Sequence, residues 1–91
     1  MDILEKIKKT LRISHDKIDD LLAEDIETAR AEMIRAGVSV YTANAAGDKL
    51  IDSAIVAYCL WKNAADAQKE GYWKSWEMQL DNLRKSTAYR E

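Results

Sequence analysis

The stretch AIVAYCLW, residues 54–61, is apolar on nearly every side of the helix that its composition predicts. Such a run is far shorter than the roughly 20 apolar residues that a membrane-spanning helix needs. A helix that is apolar all round must be covered all round, either by other helices of its own chain or by a neighbouring subunit. We therefore expect a central helix, from its cap at Asp48 to about residue 67, that offers Val56 and Leu60 to a subunit contact.

The segments on either side predict three further helices, because apolar residues recur in them at steps of three and four positions. These helices cover residues 2–13, 16–36 and 72–86. Ser14 is an N-cap residue placed just before the second helix, and Gly71 stands just before the last one. The pattern therefore predicts an all-α fold, a small bundle of about four helices.

A long loop, residues 37–47, separates the second and third predicted helices. Loops of this length between packed helices are often functional. Val38, Val40 and Tyr41 form a short apolar alternation at its start, so the loop either covers the chain's own core or lies as an arm on a neighbouring subunit. We expect residues 1–91 to form a single domain in which residues 86–91 are a frayed tail.

The predicted core collects the apolar stripes of the four helices. Trp73 and Trp76 are included because two exposed indole rings would make a sticky patch that monomeric proteins avoid. Asp25 falls inside the stripe of the second helix and needs a partner, for which Arg12 is a candidate. The predicted core residues are Leu4, Ile7, Leu11, Ile18, Leu22, Ile26, Ala54, Tyr58, Trp61, Trp73, Trp76, Leu80 and Leu83.

Residues that carry chemistry are few. The chain has one histidine, His15, at a predicted helix start, and one cysteine, Cys59, in its most apolar run, where a thiol is inert. It has no glycine-rich phosphate loop, nucleophile elbow or zinc-ligand spacing. The sequence therefore predicts no metal, no cofactor and no enzymatic activity.

The charge of the chain bears on its partners. Its formal net charge of -2, from 14 basic and 16 acidic residues, is not the basic excess expected of an autonomous DNA-binding protein. An acidic segment, residues 14–36, lies between two weakly basic ends, which suits electrostatic contacts between copies of the chain or with partners. A single cysteine and the lack of a secretory leader pattern predict a cytoplasmic product.

Three segments carry a resemblance to a known family: ILEKIKKTLRISHDKIDDLLAEDIETARAEM at 3–33, AIVAYCLWKN at 54–63 and QLDNLRKS at 79–86. In the order and spacing of these segments, the chain resembles the small helical head-tail connector proteins of tailed bacteriophages. Members of that family are also labelled head-completion or DNA-packaging proteins. The matching positions are Leu11, Arg12, Ile13, Asp16, Asp20, Leu21, Leu22, Tyr58, Trp61, Gln79, Leu80, Leu83 and Arg84.

The resemblance implies a structural virion protein that forms a ring of about a dozen subunits on the portal after DNA packaging. Such a ring extends the DNA channel, with DNA only as non-specific cargo, and docks the next connector, stopper or tail protein. It implies a location at the head-tail interface of the virion, after assembly in the host cytoplasm, and no membrane partner.

On this interpretation Glu24 and Glu27 face either the channel or a neighbouring subunit, and the basic pair Arg84 and Lys85 is free to meet a partner. Two alternatives stay open. One is a small DNA-binding regulator, which salt-sensitive duplex binding would reveal, and the other is a general helical protein-protein interaction module.

Overall fold

The computed structural model describes residues 3–45 and 47–90, and those residues form five helices. The helices are α1 (Ile3–Leu11), α2 (Asp19–Arg35), α3 (Val40–Ala43), α4 (Lys49–Asn63) and α5 (Asp66–Lys85). The described part of the chain contains no strand, so the predicted all-α class is confirmed. Asp2, Ala46 and Glu91, which the predicted helix, loop and tail include, lie outside the described residues.

The central helix is α4, and its start has a clear local cause. The Asp48 carboxylate accepts hydrogen bonds from the backbone N–H groups of Leu50 (3.0 Å) and Ile51 (3.2 Å), which have no partner inside the helix. The helix ends at Asn63, whose side-chain amide donates to the Cys59 carbonyl at 2.8 Å. The predicted end near residue 67 is therefore too late.

The helix α5 begins at Asp66 and continues through Gly71, so the predicted break at this glycine is wrong. A glycine inside a helix costs only about 1 kcal/mol relative to alanine. The long helix packs along α4, and this is the most extensive contact between helices in the described chain.

The helix α2 begins at Asp19 rather than Asp16, and Ser14 does not cap it. The chain first turns at Arg12, which has a positive φ of 61°, and the Ile13 N–H donates to the Lys8 carbonyl at 2.8 Å. The Lys8 ammonium group then pairs with the Asp19 carboxylate at 2.9 Å. Negative charge at Asp19 also suits the N-terminus of a helix, which explains why α2 begins there.

The predicted loop 37–47 contains the short helix α3. Gly37, with φ of 112°, takes the left-handed conformation that ends α2 and turns the chain. Arg30 of α2 then donates from its Nη1 to the Ala43 carbonyl at 2.6 Å, and Ala43 is fully buried. A side-chain bond between residues so far apart in sequence gives no local signal, so the loop prediction missed this helix.

The core surrounds α4 from Ala54 to Leu60. Helices α1, α2 and α5 pack against α4, so the apolar circumference of that stretch is covered within one chain. Val38, Val56 and Leu60 are buried in this core, which makes their prediction as subunit-contact residues wrong. Fully buried residues from the other elements include Ile7 of α1 and Leu22, Ala29 and Met33 of α2.

Most of the predicted core residues lie in or against this cluster. Leu4, Leu11, Ile18, Ile26, Trp61 and Leu80 are partly buried against it, and Ile7, Leu22, Ala54, Tyr58, Trp76 and Leu83 are buried within it. Trp73 differs, because it remains 36% exposed. The prediction that Trp73 closes the core is therefore wrong for a substantial part of its surface.

The tail is ordered by contacts as far as residue 90, so the prediction of fraying is wrong for residues 86–90. The Ser39 N–H donates to the Tyr89 carbonyl at 2.7 Å, and Val38 forms an isolated antiparallel bridge with Arg90. The Tyr89 hydroxyl donates to the Asp48 carboxylate at 3.1 Å from Oδ2, and its ring packs on the core. The tail thus joins the start of α3 to the start of α4.

We expect Asp48→Ala to lower the free energy of unfolding by about 0.5–2 kcal/mol, since it removes the α4 cap. It also removes the acceptor of the hydrogen bond that the Tyr89 hydroxyl donates, and Tyr89→Phe, which removes the donor, breaks that bond alone. Asp48→Asn keeps a capping oxygen and is the matched control. Urea denaturation of the three variants measures the effect, and an Asp48→Ala chain as stable as the parent would contradict the cap.

Candidate interaction surface

The most exposed apolar side chains of the described chain lie on several elements. Tyr41 of α3 is 88% exposed and its neighbour Val40 is 48% exposed. Leu50 in the first turn of α4 is 57% exposed. Leu21 on α2 and Met78 on α5 are also exposed. Single exposed apolar residues are ordinary, whereas a fully exposed aromatic ring on a fixed element is a feature of interaction sites.

The element that carries Tyr41 is fixed at both ends. The tail holds its start through the bond from Ser39 to the Tyr89 carbonyl, and Arg30 holds its end through the Ala43 carbonyl. The burial of Val38 and Ala43 on either side of Tyr41 anchors the same segment in the core. Tyr41 is therefore presented to solvent by a short helix whose position the rest of the fold determines.

A groove lies where the start of α4, the end of α5 and the tail meet. Its volume is about 130 Å³. Leu50, Leu83 and Tyr89 supply apolar lining, and the polar side chains of Gln79, Asn82 and Ser86 complete it. The sequence carries no local signal for this groove, because one wall of the groove depends on the tail folding back onto Asp48.

Three tryptophans and a tyrosine form a connected set of rings between α4 and α5. The Tyr58 ring meets the Trp76 ring edge-on at 5.0 Å and the Trp61 ring at 5.5 Å between centroids. Trp61 in turn lies 4.5 Å from Trp73. The set runs from the buried Trp76 to the half-exposed Trp73, so it fastens the two helices and leaves one ring at the surface.

The charged residues proposed for an interface are placed at the surface. Glu24 and Glu27 are exposed on α2, and neither carboxylate is ion-paired within the described chain. Arg84 and Lys85 both pair with Asp81, at 2.7 and 2.8 Å, and lower the pKa of that carboxyl below its ordinary value. The prediction that the basic pair is free is therefore wrong, although both side chains remain largely exposed.

Asp25 finds its partner on α4 rather than at Arg12. Its Oδ2 accepts a hydrogen bond from the Asn63 amide at 3.0 Å. Because Asn63 also bonds the Cys59 carbonyl, this contact ties α2 to the last turn of α4. His15 stays local, accepting at Nδ1 from the Lys17 N–H at 3.3 Å.

The Cys59 thiol is fully buried, and its pKa is raised to about 12 by burial and by the negative charge of Asp25. We expect thiol reagents to modify the folded protein more than about 10³-fold more slowly than the urea-unfolded chain. A free energy of unfolding of about 5 kcal/mol leaves less than about one molecule in 10³ open, and only an open molecule exposes the thiol. Labelling with an Ellman-type disulfide reagent at pH 8 measures the ratio. Equal rates in the two states would contradict the burial.

The raised pKa also predicts alkaline destabilisation. Because the folded pKa lies above the unfolded value of about 8.5, the neutral thiol contributes stability that is fully present below about pH 8.5 and is lost as pH rises toward 12. Tyr58 contributes in the same sense, since burial and then the charge of Glu32 raise its pKa. We expect Cys59→Ala to flatten the fall in stability above pH 9.

Within the described residues, no three His, Cys, Asp or Glu side chains come together as a metal site. None of the described helices has the length and apolar character needed to cross a membrane. Comparison of the chain with protein-family models, with curated proteins and with solved structures found no match. The arrangement of residues at the surface is therefore what a functional proposal has to rest on.

Proposed function

We propose that this chain is a structural assembly protein, a head-tail connector that forms a ring on a phage portal and extends its DNA channel. The observation that carries the proposal is the nearly complete exposure of Tyr41 on α3, a helix fixed at both ends by the rest of the fold. Aromatic side chains that a fold presents in this way are typical anchors of protein-protein contacts. The resemblance of the three sequence segments supplies the particular kind of assembly.

The charge distribution supports contacts with protein rather than with DNA. Glu24 and Glu27 leave negative charge unpaired on α2, whereas Lys6 and Lys9 are exposed on α1 without an ion pair in the described chain. Opposite charges on different faces suit a contact in which one face of a subunit meets another face of its neighbour. The pairing of Arg84 and Lys85 with Asp81 reduces the charge available for phosphate contacts, which disfavours the DNA-binding regulator.

On this proposal the protein acts by binding, without a catalytic step or a cofactor. Its partners are copies of itself, the portal protein and the next connector, stopper or tail protein. DNA passes through the ring as non-specific cargo. The site of action is the head-tail interface of the virion, reached after assembly in the host cytoplasm.

The test is Tyr41→Ser, with Met78→Ser as the matched control on a different exposed surface. We expect Tyr41→Ser to change the free energy of unfolding by less than about 0.5 kcal/mol, as exposed positions do. The association constant for its assembly should fall at least about tenfold, which corresponds to about 1.4 kcal/mol. Light scattering with and without portal measures the assembly as molar mass. Met78→Ser should assemble as the parent does.

If Tyr41→Ser assembled over the same concentration range as the parent, that result would contradict the role given to α3. Loss of assembly in both variants would show that the effect is not specific to Tyr41. Binding of the folded parent to a non-phage partner, with no affinity for the portal, would favour the general interaction module instead.

A further inference from the structure

The groove beside Leu50 has the size and chemistry of a receptor for one aromatic ring. Its volume is about 130 Å³, close to the roughly 150 Å³ of an apolar cavity that holds benzene. Leu50 is more than half exposed because nothing in the described chain covers it on this side. The groove therefore leaves apolar surface in water that an inserted ring would remove.

The lining of the groove also suits a ring that carries a polar end. A buried tyrosine hydroxyl usually needs a hydrogen-bond partner. Gln79 uses its Nε2 to donate to the Ser75 hydroxyl at 2.9 Å, which leaves its Oε1 as an acceptor. Asn82, which also lines the groove, is exposed and adds an amide with donors and an acceptor.

The chain itself presents a ring of this description. Tyr41 is an exposed tyrosine on a fixed helix, and it is not part of the lining of its own chain's groove. Tyr41 lies on α3, whereas the groove lies where α4, α5 and the tail meet, and the Ser39–Tyr89 hydrogen bond links the two. The exposed ring and the groove are therefore separate surfaces, and a second copy can bring its Tyr41 to the groove.

We propose that the groove lined by Leu50, Leu83 and Tyr89 receives Tyr41 of a second copy of this chain. The inference deepens the proposed function, on which it rests, by naming the two halves of the subunit contact. Such a contact joins two unlike surfaces, and in a heterologous arrangement its repetition closes a ring when the rotation between subunits permits. The tail takes part directly, because Tyr89 forms one wall and the Asp48 carboxylate holds it there.

A mixing experiment tests both halves at once. Tyr41→Ser keeps the groove and loses the exposed tyrosine ring, whereas Leu50→Glu keeps that ring and places a charge in the groove. Leu50→Glu should fold, since the position is exposed and a negative charge in the first turn of a helix is favourable. Circular dichroism and thermal melting verify that each variant is folded before mixing.

At a concentration where the parent assembles, each variant alone should stay monomeric by light scattering and sedimentation. An equimolar mixture should form a one-to-one dimer and nothing larger, because only one productive contact is available per pair. Met78→Ser, mixed with either variant, is the control for effects of surface polarity.

Assembly of Leu50→Glu alone at the parent's concentration overturns the groove assignment. A mixture that stays monomeric while the parent assembles also overturns it, and leaves the assembly function standing. A parent that stays monomeric up to about 1 mM, the range of the weakest specific contacts, overturns the self-contact, and the portal experiment then decides the proposed function separately.

Discussion

Replacing Trp76 by Ala should lower the free energy of unfolding by about 3–5 kcal/mol, the range for removal of a buried aromatic ring. Trp76 is only 3% exposed, and its ring meets Tyr58 of α4 edge-on at 5.0 Å. The substitution opens a cavity between the two helices that make the most extensive contact of the fold. In a domain of this size each kcal/mol shifts the melting temperature by about 4–8 °C, so the loss is easily measured.

Trp73→Ala is the matched control three residues away on the same helix. Trp73 is 36% exposed and its ring centroid lies 4.5 Å from that of Trp61, so its removal should cost about 0.5–1.5 kcal/mol for the lost aromatic pair in addition to the area it buries, and less in total than removal of the buried Trp76. Urea denaturation gives both free-energy changes, provided that the slope of the free energy of unfolding against urea concentration is the same in parent and variants. Unchanged melting of Trp76→Ala with loss of assembly would instead place this ring in an interface and contradict the core assignment.

Replacing Ile51 by Ala should lower the free energy of unfolding by about 2–5 kcal/mol, whereas Leu50→Ala should change it by less than about 0.5 kcal/mol. The two residues are neighbours in the first turn of α4 and their backbone N–H groups share the same cap. Ile51 is fully buried and Leu50 is mostly exposed. The difference between the two losses of stability therefore reports the burial of the side chain and not the formation of the helix.

The measurement is again urea denaturation, with assembly mass as a second readout. Leu50→Ala should melt as the parent does and assemble more weakly, because it removes apolar lining from the groove. A large loss of stability in Leu50→Ala would mean that the groove is closed in the folded monomer. That result would remove it as a surface for a second copy.

Periodicity was sufficient to predict the helical class and the central position of α4. The apolar steps in α1, α2 and α5 place Ile7, Leu22, Trp76 and Leu83 against that helix, and the structure buries all four. Side-chain burial depends mainly on position around a helix, and a repeat near 3.6 residues records that position directly in the sequence. This part of the fold was therefore readable without coordinates.

Several of the wrong predictions concern features that depend on long-range contacts. The side chain of Arg30 fixes α3 through a residue of the predicted loop, and the tail returns to Asp48 from the other end of the chain. Neither contact leaves a periodic signal. Gly71 and Ser14 show the reverse case, because a local preference of about 1 kcal/mol did not decide where α5 and α2 begin.

The candidate surface was only partly predictable for the same reason. Val40 and Tyr41 were expected at an interface and are exposed, whereas Val38, from the same alternation, is buried beneath the tail residues that pair with it. Val56 and Leu60 were expected at a subunit contact because only three short helices were predicted to be available to cover α4. In the structure α1, α2 and α5 all pack against α4, and both residues are buried.

The most direct test of the connector function is the molar mass of the complex formed when the purified chain meets the portal ring encoded near its gene. Light scattering after size-exclusion chromatography measures it without labels. We predict a gain in mass that corresponds to one copy per portal subunit, reduced by Tyr41→Ser and unaffected by Met78→Ser. An intact portal whose mass does not change in the presence of the folded protein at high concentration would contradict the connector function.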